Sequence, residues 1–167
     1  PIIIKALKKI TRLPIDVHLM IENPYDFIEQ FAESGSDIIS FHKEAKSDPL
    51  KTIAKIIQFG KIPALAINPD FDISNVVNYL PHIKMLLIMS VFPGFAGQEF
   101  IPSVLPKIKI IKDIISTNNY GLQIEVDGGI NPKTAQDVVA SGAKILVAGS
   151  AIFKSKDYAR AISSLRG

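Results

Sequence analysis

The chain has 167 residues, which is long enough for one sizeable hydrophobic core and too short for two ordinary domains. Its composition, 47% hydrophobic and 21% charged, excludes a disordered chain and is typical of an α/β protein with buried parallel strands. The net charge of +3 is spread along the chain without a basic run, so a nucleic-acid partner is not indicated. No cysteine is present, and no apolar segment approaches the roughly 20 residues that span a bilayer. We therefore expect no disulfide, no thiolate metal site, no membrane partner and a cytoplasmic location.

Six short aliphatic runs alternate with segments of helical periodicity. Residues 2–10 have the apolar spacing of a helix and precede the first run. Asn23-Pro24 and Asn131-Pro132 are typical helix starts, with Asn as the capping residue and Pro in the first turn. The predicted strands are residues 15–20, 37–41, 63–67, 84–89, 122–126 and 144–148. The glycines predicted to end helices in the left-handed conformation are Gly35, Gly60 and Gly142.

This repetition predicts right-handed crossovers and a parallel sheet. A barrel and a doubly wound sheet both satisfy the pattern. We favour the TIM (β/α)8 barrel, because functional-looking residues follow four different strands, whereas a doubly wound sheet gathers its ligand at one switch point. A complete barrel has eight strands, so we expect residues 1–167 to form one barrel domain that holds six of the eight and lacks the two amino-terminal strands.

Glycine-rich turns follow three consecutive predicted strands. They lie in residues 89–100, 126–130 and 147–151, at the carboxyl ends of the strands. Glycines let the backbone approach a ligand closely, and free amides at such turns attract anions. In barrels the loops after the last two strands often bind phosphate, so the sequence predicts a phosphate pocket here.

Two side chains are candidates for acid/base or metal chemistry. His18 lies near the end of the first predicted strand and shares a face with Asp16 and Met20. A histidine satisfied within the core is the competing interpretation for His18. Asp127 ends a strand directly before two glycines, where it could be a turn residue or a partly desolvated carboxylate suited to proton transfer. Imidazole and carboxylate together could also bind a divalent cation.

The remaining histidines and the rim methionines are less specific signals. Met20 and Met89 fall at strand ends that face the same rim, where they could fill the core or line a reacting centre. His42 is interpreted as a structural group or one that supports a ligand from behind, and His82 as exposed, so neither receives a chemical role.

Five segments together resemble the ribulose-phosphate 3-epimerase family, in order and over nearly the whole chain. They are DVHLM at 16–20, FHKEA at 41–45, the loop 89–100, VDGGI at 126–130 and AGSAIF at 148–153. The resemblance implies a TIM-barrel isomerase of the pentose phosphate pathway. Such an enzyme interconverts D-ribulose 5-phosphate and D-xylulose 5-phosphate through proton transfer at C3 and an ene-diolate. It also implies one divalent metal (zinc, iron, manganese or cobalt) and a homo-oligomer.

The resemblance also assigns a role to each residue of this chain that stands at a motif position of the family. The resemblance makes His18 and Asp127 metal ligands, and Asp127 one of two acid/base carboxylates. The residues that it implies for substrate binding are His18, Met20, Met89, Gly94, Phe95, Ala96, Gly97, Asp127, Gly128, Gly129, Gly149 and Ser150. Among these the glycines of 128–129 and 149, with Ser150, would hold the phosphate, and residues 94–97 would cover the substrate.

The sequence departs from the family pattern in two ways. Ala96 replaces a usual glycine, and Phe92 replaces a usual polar residue. The family's first strand, and a second strand with a His-x-Asp metal pair that includes the other acid/base carboxylate, have no counterpart here. We expect such a chain to be poorly active alone and to have unpaired edges at its first and last strands. The alternatives are another phosphate-binding barrel enzyme, of the hexulose-phosphate or thiamine-phosphate synthase type, and a non-catalytic barrel fragment.

Overall fold

Strands and helices alternate along the whole of the computed structural model, which describes residues 1–94 and 97–166. The strands are β1 (Asp16–Leu19), β2 (Ile38–His42), β3 (Ile62–Ile67), β4 (Met85–Met89), β5 (Gln123–Asp127) and β6 (Ile145–Val147). The α-helices are α1 (Ile2–Lys8), α2 (Ile28–Glu33), α3 (Pro49–Gln58), α4 (Val104–Thr117), α5 (Pro132–Ser141), α6 (Ser150–Phe153) and α7 (Tyr158–Arg166). Short 3₁₀ helices span Pro24–Phe27, Ile73–Asn75 and Val77–His82.

The six strands form one parallel sheet in the order β1-β2-β3-β4-β5-β6. Each strand therefore pairs with its neighbour along the chain, as in a β/α barrel. All six predicted strands are confirmed. In the part of the chain that the structure describes, β1 and β6 form the two edges of the sheet, as the sequence predicts. This order brings the carboxyl ends of all six strands to the same rim.

Strand residues alternate between two faces because the side-chain period of a strand is two. One face packs under the helices in a continuous core; for β1 it presents Val17 and Leu19. The other face carries a smaller cluster of Ala66, Leu87 and Met89. We call this second face the interior face. It also carries the polar residues of β1, β2 and β5, so the polar groups lie where a barrel has its centre.

The predicted turn chemistry is confirmed for the glycines and for both helix starts, although only one of the two Asn residues caps with its side chain. Gly35, Gly60 and Gly142 all have positive φ, of 104°, 68° and 123°. Asn131 caps α5, since its side chain accepts hydrogen bonds from the backbone N–H groups of residues 133 and 134. Asn23 makes no such bond, and the chain after it enters a 3₁₀ helix rather than an α-helix. The prediction that Asn23 is a side-chain cap was therefore wrong.

The amino-terminal helix α1 is held to the sheet by one polar cluster. Lys8 Nζ lies 2.6 Å from Asp37 Oδ2, and the same oxygen accepts the backbone N–H of Ile15 at 2.7 Å. None of the residues of α1 is buried. Among the helices of residues 1–94 and 97–166, none has the length and apolarity needed to cross a membrane.

Candidate active site

A cavity of about 280 Å³ opens at the carboxyl rim of the sheet. Its walls come from the end of β1 and from the loops after β4, β5 and β6. The lining residues are Met20, Met89, Val91, Phe92, Pro93, Gly94, Gly97, Gln98, Asp127, Gly128, Gly129, Ile130, Val147, Gly149 and Ser150. This set brings together every predicted site residue that the structure describes except His18. Phe95 and Ala96 lie outside the described residues.

Asp127 is the carboxylate of this cavity. It is the last residue of β5 and pairs in register with Met89 on one side and Val147 on the other. Burial raises the pKa of its carboxyl above the ordinary value of 3.8, since a charge is disfavoured where water is scarce. A carboxyl with a raised pKa at a cavity wall is suited to exchange a proton with a bound ligand.

The turn after Asp127 is held from behind by Ser90, a fully buried residue that directly follows β4. The Ser90 hydroxyl contacts two carbonyl oxygens, that of Asp127 at 2.9 Å and that of Gly128 at 2.6 Å. Its backbone N–H donates to the Asp127 carbonyl at 2.7 Å. These bonds fix the direction in which Asp127 leaves the strand. Sequence reasoning missed Ser90, although its place directly after an apolar strand was the available signal.

Two glycines next to Asp127 have no room for a side chain. Gly128 has φ of 122°, and a Cβ there would lie 2.8 Å from the backbone nitrogen of Val91. Gly129 has φ of 60°, and a Cβ there would lie 2.7 Å from Cα of Phe100. The loop after β4 therefore rests directly on the backbone of this turn, and the two together form one wall of the cavity.

The two methionines that line the cavity differ in exposure. Met89 is 2% exposed and belongs to the cluster on the interior face. Met20, which directly follows β1, is 51% exposed. Their positions at the rim are as predicted, and Met20 links the cavity to the strand that carries His18.

His18 lies on the interior face of β1 and does not line the cavity. Its Nδ1 is 3.0 Å from Oγ of Ser40, the residue paired with it on β2. Its Nε2 is 3.1 Å from Nε2 of His42, and the two rings are tilted by 53° with centroids 4.9 Å apart. Burial, together with the charge of His42, lowers the pKa of His18 to about 4. His18 is thus a neutral imidazole at physiological pH.

The interaction of His18 continues through two further residues that received no chemical role from the sequence. Nδ1 of His42 lies 3.4 Å from Oε2 of Glu44, and Oε1 of Glu44 accepts the backbone N–H of Asn68 at 3.3 Å. Burial opposes ionisation of Glu44, but the hydrogen bonds from His42, from its own backbone N–H and from Asn68 outweigh it, so its pKa is lowered. The alternation along β2 was the available signal, since it places Ser40 and His42 on the same face.

A second layer of acid groups lies below the rim. Glu125 is 3% exposed and precedes Asp127 by two residues on the interior face. Burial, the Asp16 charge, the hydrogen bond with Asp16 and the Asp127 charge raise the pKa of Glu125 to about 8. Burial also raises the pKa of Asp16. At neutral pH Glu125 is therefore protonated and can donate to Asp16.

The titration of Glu125 predicts how stability depends on pH. Between pH of about 4.5 and about 8 the unfolded chain has released this proton while the folded chain keeps it, so the free energy of unfolding falls as pH rises. The Glu125→Gln substitution keeps the size of the side chain and removes the carboxyl group that titrates. We expect the wild type to lose more stability than this variant between about pH 5 and about pH 8 in urea unfolding. Glu29→Gln, an exposed site in α2, is the control and should follow the wild type. Parallel curves for Glu125→Gln and the wild type would show the prediction to be wrong.

The residues predicted to bind metal have donor atoms of the right type but are few. Neutral imidazole and carboxylate are ligands for zinc, iron, manganese and cobalt. Within residues 1–94 and 97–166 no group of three or more His, Cys, Asp or Glu side chains is arranged to hold a metal ion. His18 and Asp127 would thus supply part of a coordination shell rather than a complete one.

Comparison with known proteins identifies the family of this chain. A profile of the Ribulose-phosphate 3 epimerase family matches residues 1–153. The ribulose-phosphate 3-epimerase of Bacillus subtilis is 44% identical over 168 residues, covering 100% of this chain and 77% of the relative. That of a Synechocystis strain is 41% identical over 168 residues, covering 99% and 73%.

Solved structures show the same fold at lower sequence identity. A 3-hexulose-6-phosphate synthase superposes with a TM-score of 0.73 and 20% identity, covering 98% of this chain and 78% of its own. At this identity the likeness establishes a TIM-barrel architecture, here a half-barrel of six parallel strands, and not a shared activity. Because both the family profile and the relatives match nearly the whole chain, the chain belongs to the ribulose-phosphate 3-epimerase family of isomerases.

Proposed function

We propose that the protein interconverts D-ribulose 5-phosphate and D-xylulose 5-phosphate by moving the C3 proton through an ene-diolate. The observation that carries the proposal is the Asp127 carboxyl, which shares one cavity with Met20, Met89 and two glycine turns. Family membership supports the choice of substrate. The wider proposal includes a place in the pentose phosphate pathway, a cytoplasmic location, one barrel domain over residues 1–167 and a homo-oligomer.

Asp127 would act as the proton carrier on one face of the sugar. As a carboxylate it removes the C3 proton, and as a carboxylic acid it returns one. Its raised pKa suits both steps, because a base with a higher proton affinity accepts a proton from carbon more readily. The bonds from Ser90 to the backbone of residues 127 and 128 support this role by holding the carboxyl in place.

The glycine turns would bind the phosphate. Gly128, Gly129, Gly149 and Ser150 all line the cavity and leave backbone groups accessible to an anion. Gly94 and Gly97 line the same cavity and would cover the substrate from the side of β4, a role that the resemblance also gives to Phe95 and Ala96. Met20 and Met89 would line the reacting centre with apolar surface that excludes water.

His18 and Asp127 would hold a divalent cation. Such a cation, when bound, supplies positive charge that stabilises an oxyanion as it develops. The imidazole contributes as a neutral donor, consistent with its lowered pKa. The type of donor favours zinc, iron, manganese or cobalt over magnesium or calcium.

The proposal is tested by ¹H NMR in D₂O with D-ribulose 5-phosphate and each of the four metals in turn. We expect deuterium at C3, formation of D-xylulose 5-phosphate, and much slower exchange with unphosphorylated D-ribulose. Formation of a hexulose phosphate from formaldehyde and the same substrate would favour the synthase alternative, whose structural likeness supports the fold alone. The absence of C3 exchange with all four metals would contradict the proposal.

Inversion at C3 also needs a group on the opposite face of the sugar. The resemblance assigns that group to a carboxylate outside the matched positions of this chain. A polypeptide of these 167 residues is therefore expected to exchange the C3 hydrogen of one epimer faster than it interconverts the two. A strand–helix–strand segment from a relative, supplied separately, should raise interconversion by about 10²–10⁴-fold. Equal rates of exchange and interconversion without the segment would contradict this part of the proposal.

A further inference from the structure

We propose that His42 and Glu44 are positioning residues that fix the tautomer of His18, so that Nε2 of His18 carries the proton and Nδ1 keeps the lone pair. The inference deepens the proposed function, since His18 belongs to that site. It rests on a continuous run of contacts across the carboxyl ends of β1, β2 and β3. We call the four side chains Ser40, His18, His42 and Glu44 the histidine relay.

Glu44 determines which atom donates and which accepts in each hydrogen bond of the histidine relay. Its two carboxylate oxygens face an N–H of Asn68 at 3.3 Å and Nδ1 of His42 at 3.4 Å. A carboxylate accepts hydrogen bonds and does not donate them, and the lowered pKa of Glu44 agrees with an ionised group here. Nδ1 of His42 must therefore carry a proton, because a lone pair at that atom would face the negative oxygen.

The remaining contacts follow from this assignment. With its proton on Nδ1, an imidazole that has one N–H keeps a lone pair on Nε2. Nε2 of His42 then accepts from Nε2 of His18 across 3.1 Å, and Nδ1 of His18 accepts from the Ser40 hydroxyl across 3.0 Å. The Ser40 hydroxyl also lies 3.5 Å from the carbonyl oxygen of Val17, but its 3.0 Å contact with Nδ1 of His18 is the shorter one. Each ring nitrogen of the histidine relay then has a partner of the correct sense. In the opposite direction, the contact between His42 and Glu44 would become repulsive.

The consequence for the site is that one particular atom of His18 is available as a donor. A histidine that binds a metal usually donates its other ring N–H to a carboxylate or carbonyl, which fixes the ring and raises its basicity. Here a second imidazole connects His18 to the carboxylate. Nδ1 of His18, next to Ser40, is the atom that can exchange its hydroxyl partner for a cation or a substrate group.

The tautomer can be read directly from long-range ¹H–¹⁵N correlations of the ¹⁵N-histidine-labelled chain, without metal or substrate and at about pH 8, above the ordinary histidine pKa. The chain has three histidines, and exposed His82 serves as an internal reference. A hydrogen bond to a charged group favours one tautomer, so we expect roughly a tenfold excess of the Nε2–H form at His18. A dominant Nδ1–H form in the wild type would overturn the proposal without bearing on epimerase activity.

A variant pair tests whether Glu44 is the cause. Glu44→Gln can present an N–H to His42, so the excess at His18 is expected to fall to the mixture seen for an exposed imidazole. Glu22→Gln is the matched control: Glu22 lies on the same rim and pairs with Lys46 at 2.6 Å, outside the histidine relay. Glu44→Asp, which keeps the carboxylate, should retain the Nε2–H form. An unchanged His18 tautomer in a folded Glu44→Gln protein would overturn the assignment.

Discussion

Asp127→Asn is expected to lower the rate of C3 exchange by about 10²–10⁴-fold, the contribution of a positioned acid/base group. The amide keeps the size of the carboxyl and its place at the end of β5 but cannot take up a proton from carbon. Burial raises the pKa of Asp127 because it disfavours a charge there, so an uncharged side chain of the same size should be tolerated in the wall of the cavity. The measurement is deuterium incorporation at C3 of D-ribulose 5-phosphate, with each protein assayed at the metal concentration that saturates its own rate.

Asp137→Asn is the matched control for this variant. Asp137 is exposed on α5, ten residues further along the chain, so the same chemical change there should leave the rate unaltered. Thermal unfolding of both variants separates lost chemistry from lost structure. A folded Asp127→Asn protein with at least half of the wild-type exchange rate would exclude Asp127 as the proton carrier.

The acid limb of the pH profile provides a second readout of the same residue. Asp127 must be ionised to remove a proton from carbon. Exchange is therefore lost as pH falls through the pKa of Asp127. The residual rate of Asp127→Asn should lack this limb.

Most of the fold could be predicted from the sequence because its strands and helices follow two simple patterns. Apolar runs bounded by glycine or proline placed all six strands, and the regular alternation of strand and helix predicted that they run parallel. The sequential order of the strands was favoured over a doubly wound order only because functional-looking residues follow four different strands. The failure at Asn23 shows the limit of local signals. The Asn23-Pro24 pair marked where a helix begins, but it did not predict that the first turn is a 3₁₀ helix without a side-chain cap bond.

The site was predicted less completely because part of it depends on partners across strands. The glycine turns and Asp127 follow from their own strand ends, and the cavity unites them as expected. His18 was considered alone, as a ligand or a satisfied core residue, whereas its surroundings come from β2 and β3. Parallel register places Ser40 beside it, and that register is known only once the strands are paired. The same holds for Asp16 and Glu125, which lie on strands far apart in the chain.

The second large effect is expected from Gly129→Ala, which should destabilise the protein and deform the cavity together. A side chain at Gly129 is disfavoured both by the positive φ and by close packing against the loop after β4. A control variant separates the two costs in stability. Gly60 has φ of 68°, similar to the 60° of Gly129, but a Cβ at Gly60 would have open space around it. Gly60→Ala therefore reports the cost of the left-handed backbone alone, about 1–2 kcal/mol.

Gly129→Ala is expected to cost about 1–3 kcal/mol more than Gly60→Ala in urea unfolding, the usual cost of overpacking. The additional Cβ would lie 2.7 Å from Cα of Phe100, a backbone atom that cannot turn aside as a flexible side chain does. Relief requires the loop after β4 to move away from the turn that follows Asp127, which opens the wall of the cavity. Exchange at C3 should therefore fall in Gly129→Ala and stay near the wild-type rate in Gly60→Ala. Equal costs for the two variants would mean that the loop yields without strain, and that contact with the turn does not hold it in place.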